Sequence, residues 1–168
     1  MTVRRMPACS AIIAGMNNAT FPALAITPYW SSVQDDLLRI VDLFPQGKLN
    51  WSPKEELWNA RGILIHVADA RDNWMTRDIK DGEPYPNIWA TARTRDDLKR
   101  ELVRTFARMQ RFLASAARLD AVYTPDNPAY PARDGHWIAY HLLEHDIHHR
   151  AELMQRLALL DVAHEIDL

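Results

Sequence analysis

Four of the seven histidines lie close together near the end of the chain. The stretch "HLLEHDIHHRAEL", residues 141 to 153, contains His141, His145, His148 and His149. Side chains four positions apart lie on one face of an α-helix, with Cβ atoms about 5–6 Å apart. Two imidazoles at this spacing can bind one metal ion, and the stretch offers two such pairs, His141 with His145 and His145 with His149. The stretch therefore predicts a helix that supplies histidine ligands to a metal.

The neighbouring residues favour the pair His145 and His149. Leu142 and Leu153 form an apolar stripe on the side of the helix toward which His149 points. His141 lies closer to a polar stripe formed by Glu144, His148, Glu152 and Gln155. We therefore expect His145 and His149 to border the protein interior and His141 to lie nearer its rim.

A third ligand has to come from another helix, and His66 is the candidate. Its neighbours Ile63, Ile65 and Val67 predict that the imidazole is buried, where it needs a partner. For a single buried histidine a hydrogen bond to a carbonyl is the simpler role, but a facing histidine pair favours metal binding. Structural zinc is normally closed by four protein ligands, and the lone Cys9 is far away in the sequence. The three histidines thus predict an open site that leaves room for water or substrate.

Two helices are predicted in the first half of the chain. Thr27 is a suitable cap for the first helix, with Pro28 in its first turn and Phe44 near its end. The stretch "SPKE", residues 52 to 55, has the serine, proline and glutamate of a capping box. It predicts the start of the second helix, which contains the buried histidine and ends before Gly82.

Two further helices are predicted in the second half. Thr94 with Asp97 marks the start of the third helix, which runs to about Leu119, and the fourth extends from near Asp134 to about Leu160. No β-strand pattern is convincing. Four long helices predict an all-α four-helix bundle. The short first connection predicts that the first two helices are antiparallel neighbours, and the longer loops allow either simple up-down order or one crossing.

The N-terminal segment differs from the rest. Residues 1–26 have a basic start, an apolar patch and an Ala-x-Ala end, which are features of a secretory signal. The apolar patch is interrupted, however, by Pro7, Cys9 and Ser10. We favour an extended N-terminal arm, followed by one bundle domain at residues 27–168.

The composition excludes several classes of protein. The chain has 168 residues, of which 48% are hydrophobic and 25% charged, as expected of one globular domain. A net charge of −2 gives no attraction to nucleic acid or to an anionic membrane. No apolar run is long enough to cross a bilayer. One cysteine cannot form an internal disulfide, so nothing requires an oxidising compartment, and we expect a cytoplasmic protein.

Two segments resemble the DinB/YfiT-like superfamily of metal-binding four-helix bundles. They are "HVADARDNWM" on the second predicted helix and "HLLEHDIHHRAEL" on the last, and the resemblance covers residues 28–160. In that family one histidine of the second helix and a His-x3-His pair of the last helix bind the metal. The resemblance therefore implies His66, His145 and His149 as the ligands. This chain has Ala151 where the family often has glycine.

The resemblance also implies a chemistry. Family members include thiol-dependent transferases, a mycothiol-dependent isomerase and proteins proposed as metal hydrolases. It implies one divalent ion, Zn or Ni, and a thiol transferase or hydrolase that acts on a small molecule such as a low-molecular-weight thiol. Asp69, His141 and Glu144 are the nearest candidates for proton transfer or for support of the ligands. The alternative is a non-catalytic, metal-stabilised bundle that acts as an interaction module, and we expect a homodimer.

Two other metal chemistries fit less well. "HLLEH" matches the inverted zinc-peptidase motif, with His141 and His145 as ligands and Glu144 as general base. Such peptidases need a further acidic ligand downstream and a much larger fold. A di-iron bundle needs Glu-x-x-His pairs on two helices and further glutamates, which these helices do not supply.

Two remaining patterns are interpreted as structural. Arginines recur at helical spacing along the third predicted helix, and acidic residues among them favour a solvated, salt-bridged face over a site for an anionic partner: Arg100, Arg104, Arg108 and Arg111. We expect Trp58 and Trp74 in the core or in an interface. Tyr85, Trp89 and Trp137 are candidates for the mouth of a pocket over the metal.

Overall fold

In the computed structural model, residues 23–163 and 166 are described, and they form six α-helices and one short β-ribbon. The helices are α1 Ala23–Leu43, α2 Ala60–Asn73, α3 Ile88–Thr91, α4 Arg95–Leu113, α5 Ala116–Asp120 and α6 Gly135–Leu159. A π-helical turn, Trp74–Asp78, continues α2, and a 3-10 turn, Lys48–Asn50, lies in the first connection. Strands β1 Val122–Tyr123 and β2 Arg133–Asp134 pair in antiparallel fashion. The signal-like stretch and Cys9, within residues 1–22, lie outside the described residues.

Four long helices, α1, α2, α4 and α6, form the bundle, which confirms the predicted all-α fold. Both α1 and α2 pack against α4 and α6, so α1 and α2 lie diagonally across the bundle. Side-chain contacts show that α1 and α6 run in one direction and α2 and α4 in the other. The prediction of antiparallel direction for the first two helices is right, but the prediction that they are neighbours is wrong. The connection of residues 44–59 is long enough to cross the end of the bundle.

Helix α1 starts earlier than predicted. Among the described residues it begins at Ala23 and continues through Pro28, so Thr27 is not its cap. Ala23–Ile26 consists of good or tolerated helix formers, and the helix extends through the proline with the loss of one backbone hydrogen bond. The helix therefore includes residues 23–26, which the sequence assigned to the arm. No helix among residues 23–163 is long and apolar enough to cross a membrane.

Helix α2 starts later than predicted. The Ser52 hydroxyl donates to the carbonyls of Lys54, at 2.6 Å, and Leu57, at 2.8 Å, and so stabilises a turn. The cap is Asn59, whose side-chain oxygen accepts the backbone N–H of Gly62 at 2.8 Å. The capping box predicted at residues 52–55 is therefore wrong, because the serine oxygen forms hydrogen bonds within a loop.

The predicted cap of the third predicted helix and the predicted start of the fourth are confirmed. Thr94 and Asp97 form a reciprocal capping box at the start of α4, and Asp134 caps α6. Helix α4 ends at Leu113, sooner than predicted, because Ser115 caps the separate short helix α5. The β-ribbon was not predicted, since strands of two residues are too short to show an alternating pattern.

The core contains an ion pair that contacts all four long helices. Arg71 of α2 and Asp146 of α6 lie 2.7 Å apart, and both side chains are 0% exposed. The Arg71 guanidinium also donates to the side-chain oxygen of Gln34 in α1, at 2.9 Å, and to the carbonyl of Leu102 in α4, at 3.2 Å. The Trp30 indole of α1 donates to Asp146 at 2.6 Å. A buried charge needs such partners, and together they fix the register of the bundle.

The arginine stripe of α4 is salt-bridged, but it is not wholly solvated. Arg108 is buried and pairs with Asp72 and Asp81. Arg104 also pairs with Asp72. The other two arginines of the stripe, Arg100 and Arg111, are exposed and each forms an ion pair with a carboxylate. The stripe thus joins α4 to α2 and to the loop after it, so its role is structural.

Candidate metal centre

Helices α2 and α6 run antiparallel and bring three histidines together. The Nε2 atoms of His66 and His145 lie 3.0 Å apart. The ring centre of His149 is 4.4 Å from that of His145 and 4.9 Å from that of His66. One ring nitrogen from each of the three lies within 4.8 Å of the others. These residues, called the triad below, are the three that the sequence selected.

The triad fits one divalent metal ion. Tetrahedral zinc with Zn–N distances of about 2.0–2.1 Å places its nitrogen ligands roughly 3.4 Å apart. The His66–His145 separation of 3.0 Å is close to this value, and the limit of 4.8 Å for the group is within reach of small rotations of the rings. Among the described residues the group contains these three nitrogen donors and no carboxylate or thiol. One side of the point they share is therefore free of protein ligands.

Burial keeps two of the triad imidazoles, His66 and His149, available as ligands. Burial and the neighbouring rings of His145 and His149 lower the pKa of His66 to about 4. Burial also lowers the pKa of His149, although its hydrogen bond to Glu152 acts in the opposite direction. His66 is therefore neutral near pH 7, and neutral imidazole is the form that binds metal.

Glu152 orients His149. Its carboxylate lies 2.9 Å from Nδ1 of His149 and accepts a hydrogen bond from Arg156 at 2.8 Å. Burial raises the pKa of Glu152, but the bonds from His149 and Arg156 outweigh burial and leave it below its usual value. The ionised carboxylate accepts a proton-bearing Nδ1, which leaves the Nε2 lone pair of His149 for a metal. Histidine ligands of metals usually have a partner of this kind.

Asp146 lies behind His145. Its Oδ2 accepts hydrogen bonds from Trp30 and Arg71, but no residue in the described part of the chain donates to its Oδ1. Nδ1 of His145 lies 3.8 Å from Oδ1, and among the described residues this buried nitrogen has no hydrogen-bond partner either. The distance is too long for a hydrogen bond. Two unsatisfied atoms therefore face each other directly behind one histidine of the triad.

Comparison with known proteins identifies the family of the chain. The family model of the DinB superfamily matches residues 29–153. The chain belongs to the DinB superfamily. The crystal structure of a DinB-like protein from Bacillus subtilis matches it with a TM-score of 0.63 at 17% identity, over 86% of this chain and 96% of that one, a likeness in fold. No curated protein matches the chain.

In this DinB superfamily member, His141 lies beside the triad but outside it. Its ring stacks on Trp137 with centres 4.9 Å apart and an angle of 15°, and contacts Trp74 edge-on at 5.4 Å. Burial and the nearby His145 lower the pKa of His141. The pair that the zinc-peptidase motif requires, His141 with His145, is therefore not the pair that joins His66.

The two predicted carboxylates differ in position. Asp69 accepts a hydrogen bond from the Tyr85 hydroxyl at 2.9 Å. Burial and this carboxylate raise the pKa of Tyr85 to about 12, so the phenol keeps its proton. Glu144 is exposed on α6, and among the described residues no hydrogen bond or ion pair connects its side chain to the triad. Asp69 is thus held in place near the site, whereas Glu144 faces solvent.

Tryptophans flank the triad on both sides. Trp58 contacts the ring of His66 edge-on at 4.7 Å and lies next to Trp89 at 5.8 Å. On the other side Trp74 and Trp137 lie against His141. Of the two tryptophans expected in the core or in an interface, Trp58 is 48% exposed and lies outside the core, whereas Trp74 is partly buried against the core and also lines a pocket.

That pocket, called the aromatic pocket below, has a volume of about 470 Å³. It lies between the end of α2 and the start of α6, next to the loop that joins β1 to β2. Its lining combines rings with a few polar groups: Asn73, Trp74, Asp78, Tyr123, Pro125, Tyr130, Pro131, Arg133, Trp137, Ile138 and His141. Of the three aromatic residues predicted to line a pocket mouth, Tyr85, Trp89 and Trp137, only Trp137 is part of the lining of the aromatic pocket.

Sequence reasoning missed the residues that support the triad, Glu152, Asp146 and Arg71. One signal was present for Glu152, which follows His149 at a spacing of three on a helix. Another was present for Asp146, which interrupts the apolar stripe between Leu142 and Leu153 and so indicates a buried carboxylate. No local signal pointed to Arg71, because its partner is far away in the sequence.

Proposed function

We propose that this member of the DinB superfamily is an enzyme that binds one divalent metal ion, Zn or Ni, through His66, His145 and His149. Its reaction is thiol transfer or hydrolysis on a small molecule. The observation that supports it is the convergence of three imidazoles from two helices on one point with a free side. When bound, such an ion acts as a Lewis acid that lowers the pKa of a water or a thiol.

The chain itself orients the ligands and limits access of water. Glu152 holds His149, and Trp58 covers one edge of His66. Trp30 and Arg71 fix the carboxylate of Asp146 behind His145. Trp58 lies in the connection before α2, but the side chains that support His145 and His149 come from helices of a packed bundle. These two ligands therefore keep their geometry without a loop having to close over them.

Among the three candidates for proton transfer, His141 is the best supported. It lines the aromatic pocket and lies one helical turn before His145. Its lowered pKa leaves the ring neutral near pH 7, where it can accept a proton. Asp69 is occupied by Tyr85, and Glu144 faces solvent. The pocket volume of about 470 Å³ suits a small-molecule substrate.

Metal content tests the first part of the proposal. Elemental analysis of protein purified without a histidine tag should find about one divalent ion per chain. The double variant His145→Ala plus His149→Ala should lose it. His136→Ala is the matched control, because His136 pairs with Asp120 on another part of the surface and should leave metal content unchanged. Equal metal content in the wild type and the double variant would contradict the assignment.

Activity tests the second part. Candidate substrates are low-molecular-weight thiols with an electrophilic acceptor, and small esters and amides. Turnover that a chelator abolishes, and that the double variant lacks, supports the enzyme. A melting temperature that rises with metal, without turnover of any substrate, favours the alternative of a metal-stabilised interaction module.

A further inference from the structure

An arginine without a carboxylate partner lines the aromatic pocket. Arg133 of β2 is partly buried, and its guanidinium lies 4.5 Å from the ring centre of Trp137. Among the described residues its side chain makes no ion pair or hydrogen bond, in contrast to four of the five arginines of α4, which pair with carboxylates. An arginine held in place by a tryptophan, with its donors free, is suited to bind an anionic group.

Other pocket residues define the rest of the ligand. Trp74, Trp137 and Tyr130 provide apolar and aromatic surface. His141 adds a ring that stacks on Trp137 and carries no charge near pH 7, because its pKa is lowered. The carboxylate of Asp78 also lines the pocket, but its strongest charged neighbours are Asp126, Lys80 and Arg77. The part of the wall near Arg133 is therefore positive and aromatic.

We propose that the aromatic pocket binds a small molecule with a flat apolar body and one anionic group, a carboxylate or a phosphate, which pairs with Arg133. The inference deepens the proposed function by naming the class of substrate. His141 lines the pocket four residues before His145, so this wall of the pocket lies roughly 6 Å along α6 from the triad, and the anchor at Arg133 and Trp137 roughly 12 Å. A bound molecule of this class can extend its reacting end toward the metal side.

Three matched probes test the charge requirement: phenylacetate, phenyl phosphate and neutral phenylacetamide. Isothermal titration calorimetry on the full chain should show at least one anion binding about tenfold more tightly than the amide. The anion with the higher affinity identifies carboxylate or phosphate as the preferred group. Equal affinity for the anions and the amide, or no binding of any probe, would overturn the proposal.

Variants of arginine test the residue. Arg133→Gln should lose about tenfold in affinity for the anion and leave amide binding unchanged. Arg133→Lys keeps the charge and should lose less. Arg118→Gln is the control, because Arg118 is exposed and lies outside the aromatic pocket. Unchanged anion binding in Arg133→Gln, with a melting temperature equal to that of the wild type, would assign the anion to another site.

The same titrations separate this inference from the metal proposal. Phenylacetate held by Arg133 should bind with the same affinity to chelator-treated protein and to the double variant His145→Ala plus His149→Ala. If the chain binds no metal but still binds phenylacetate through Arg133, only the metal proposal fails. If the chain binds metal, and phenylacetate binding is abolished by removal of the metal but is unchanged in Arg133→Gln, only the pocket inference fails.

Discussion

Arg71 and Asp146 form an ion pair of 2.7 Å at the centre of the bundle, with neither side chain exposed to solvent. Asp146 lies in the middle of α6 and directly follows His145 in the sequence. The pair therefore fixes the rotation of α6, and this rotation aims His145 and His149 at His66. The same hydrogen bonds that hold the four helices together determine the geometry of the candidate metal centre.

Removal of the buried charge should destabilise the protein strongly. Asp146→Asn leaves Arg71 without its carboxylate and is expected to lower the free energy of unfolding by about 3–5 kcal/mol. Urea denaturation followed by circular dichroism measures the loss. Asp126→Asn is the control, because it breaks the exposed Lys80–Asp126 pair and should cost less than about 1 kcal/mol. Similar losses in the two variants would mean that the buried pair does not stabilise the bundle.

Glu152 should matter for metal affinity even though it is outside the triad. Glu152→Gln weakens the hydrogen bond that fixes His149, and we expect a loss of about 10–100-fold in affinity for Zn²⁺. Competition with a chelator of known affinity measures it. Glu144→Gln is a matched change on the exposed face of the same helix and should have no effect. If both variants bound Zn²⁺ with the wild-type affinity, the hydrogen bond from His149 to Glu152 would not be needed for metal binding.

The triad could be predicted because its signals are local. His145 and His149 are four residues apart, and His66 stands among apolar neighbours, so helical geometry and burial alone bring them into consideration. Arg71 and Asp146 are 75 residues apart, and local spacing carries no information on such a pair. The diagonal arrangement of α1 and α2 was missed for the same reason, since it follows from packing of the whole bundle.

Errors in the helix starts have a different cause. Ser52 and Asn59 both have an oxygen that can cap a helix, and the sequence near Ser52 has the better capping pattern. In the fold the Ser52 hydroxyl donates to two loop carbonyls, and Asn59 accepts the helical N–H. The choice between two adequate caps depends on where the chain meets the core, which local chemistry does not determine.

The loop after α2 should make stability depend on pH. Burial raises the pKa of Asp81, but hydrogen bonds from Arg108 and from the backbone N–H of Glu83 outweigh burial and leave it below 3.8. As the pH falls, Asp81 therefore takes up a proton at a higher pH in the unfolded chain than in the folded protein. The stabilisation from Asp81 is present above about pH 4 and is lost as the pH falls through the lowered pKa.

Asp81→Asn measures this contribution. At pH 7 the variant should be less stable than the wild type by about 1–2 kcal/mol, because Arg108 loses a charge-assisted hydrogen bond. The difference should shrink as the pH falls from about 4 through the lowered pKa of Asp81, where the carboxyl of the folded wild type also becomes protonated. Urea unfolding of both proteins at several pH values tests this. A difference that stays constant across the series would show that the loss comes from packing and not from charge.

Gly135 should tolerate no side chain, although its backbone is helical. A methyl group there would lie 2.7 Å from Cα of Leu119 and would also collide with the Arg118 carbonyl. These are backbone atoms of α5, and the Gly135 N–H also donates to the carbonyl of Ala121 at 3.0 Å, so neither segment can move away easily. Gly135→Ala is therefore expected to cost about 1–3 kcal/mol in the free energy of unfolding.

Gly62→Ala in α2 provides the opposite case, because a methyl group fits there without a collision. The nearest atom to a methyl group at Gly62 is 3.4 Å away, which is an ordinary contact, and alanine is the better helix former. This variant should gain up to about 0.5–1 kcal/mol. Thermal denaturation of both variants measures the contrast. Gly135 begins the helix that carries Trp137 and His141, so Gly135→Ala should also bind phenylacetate more weakly. If both variants had the same stability and the same affinity for phenylacetate, α5 would have moved to make room for the methyl group and would not position α6.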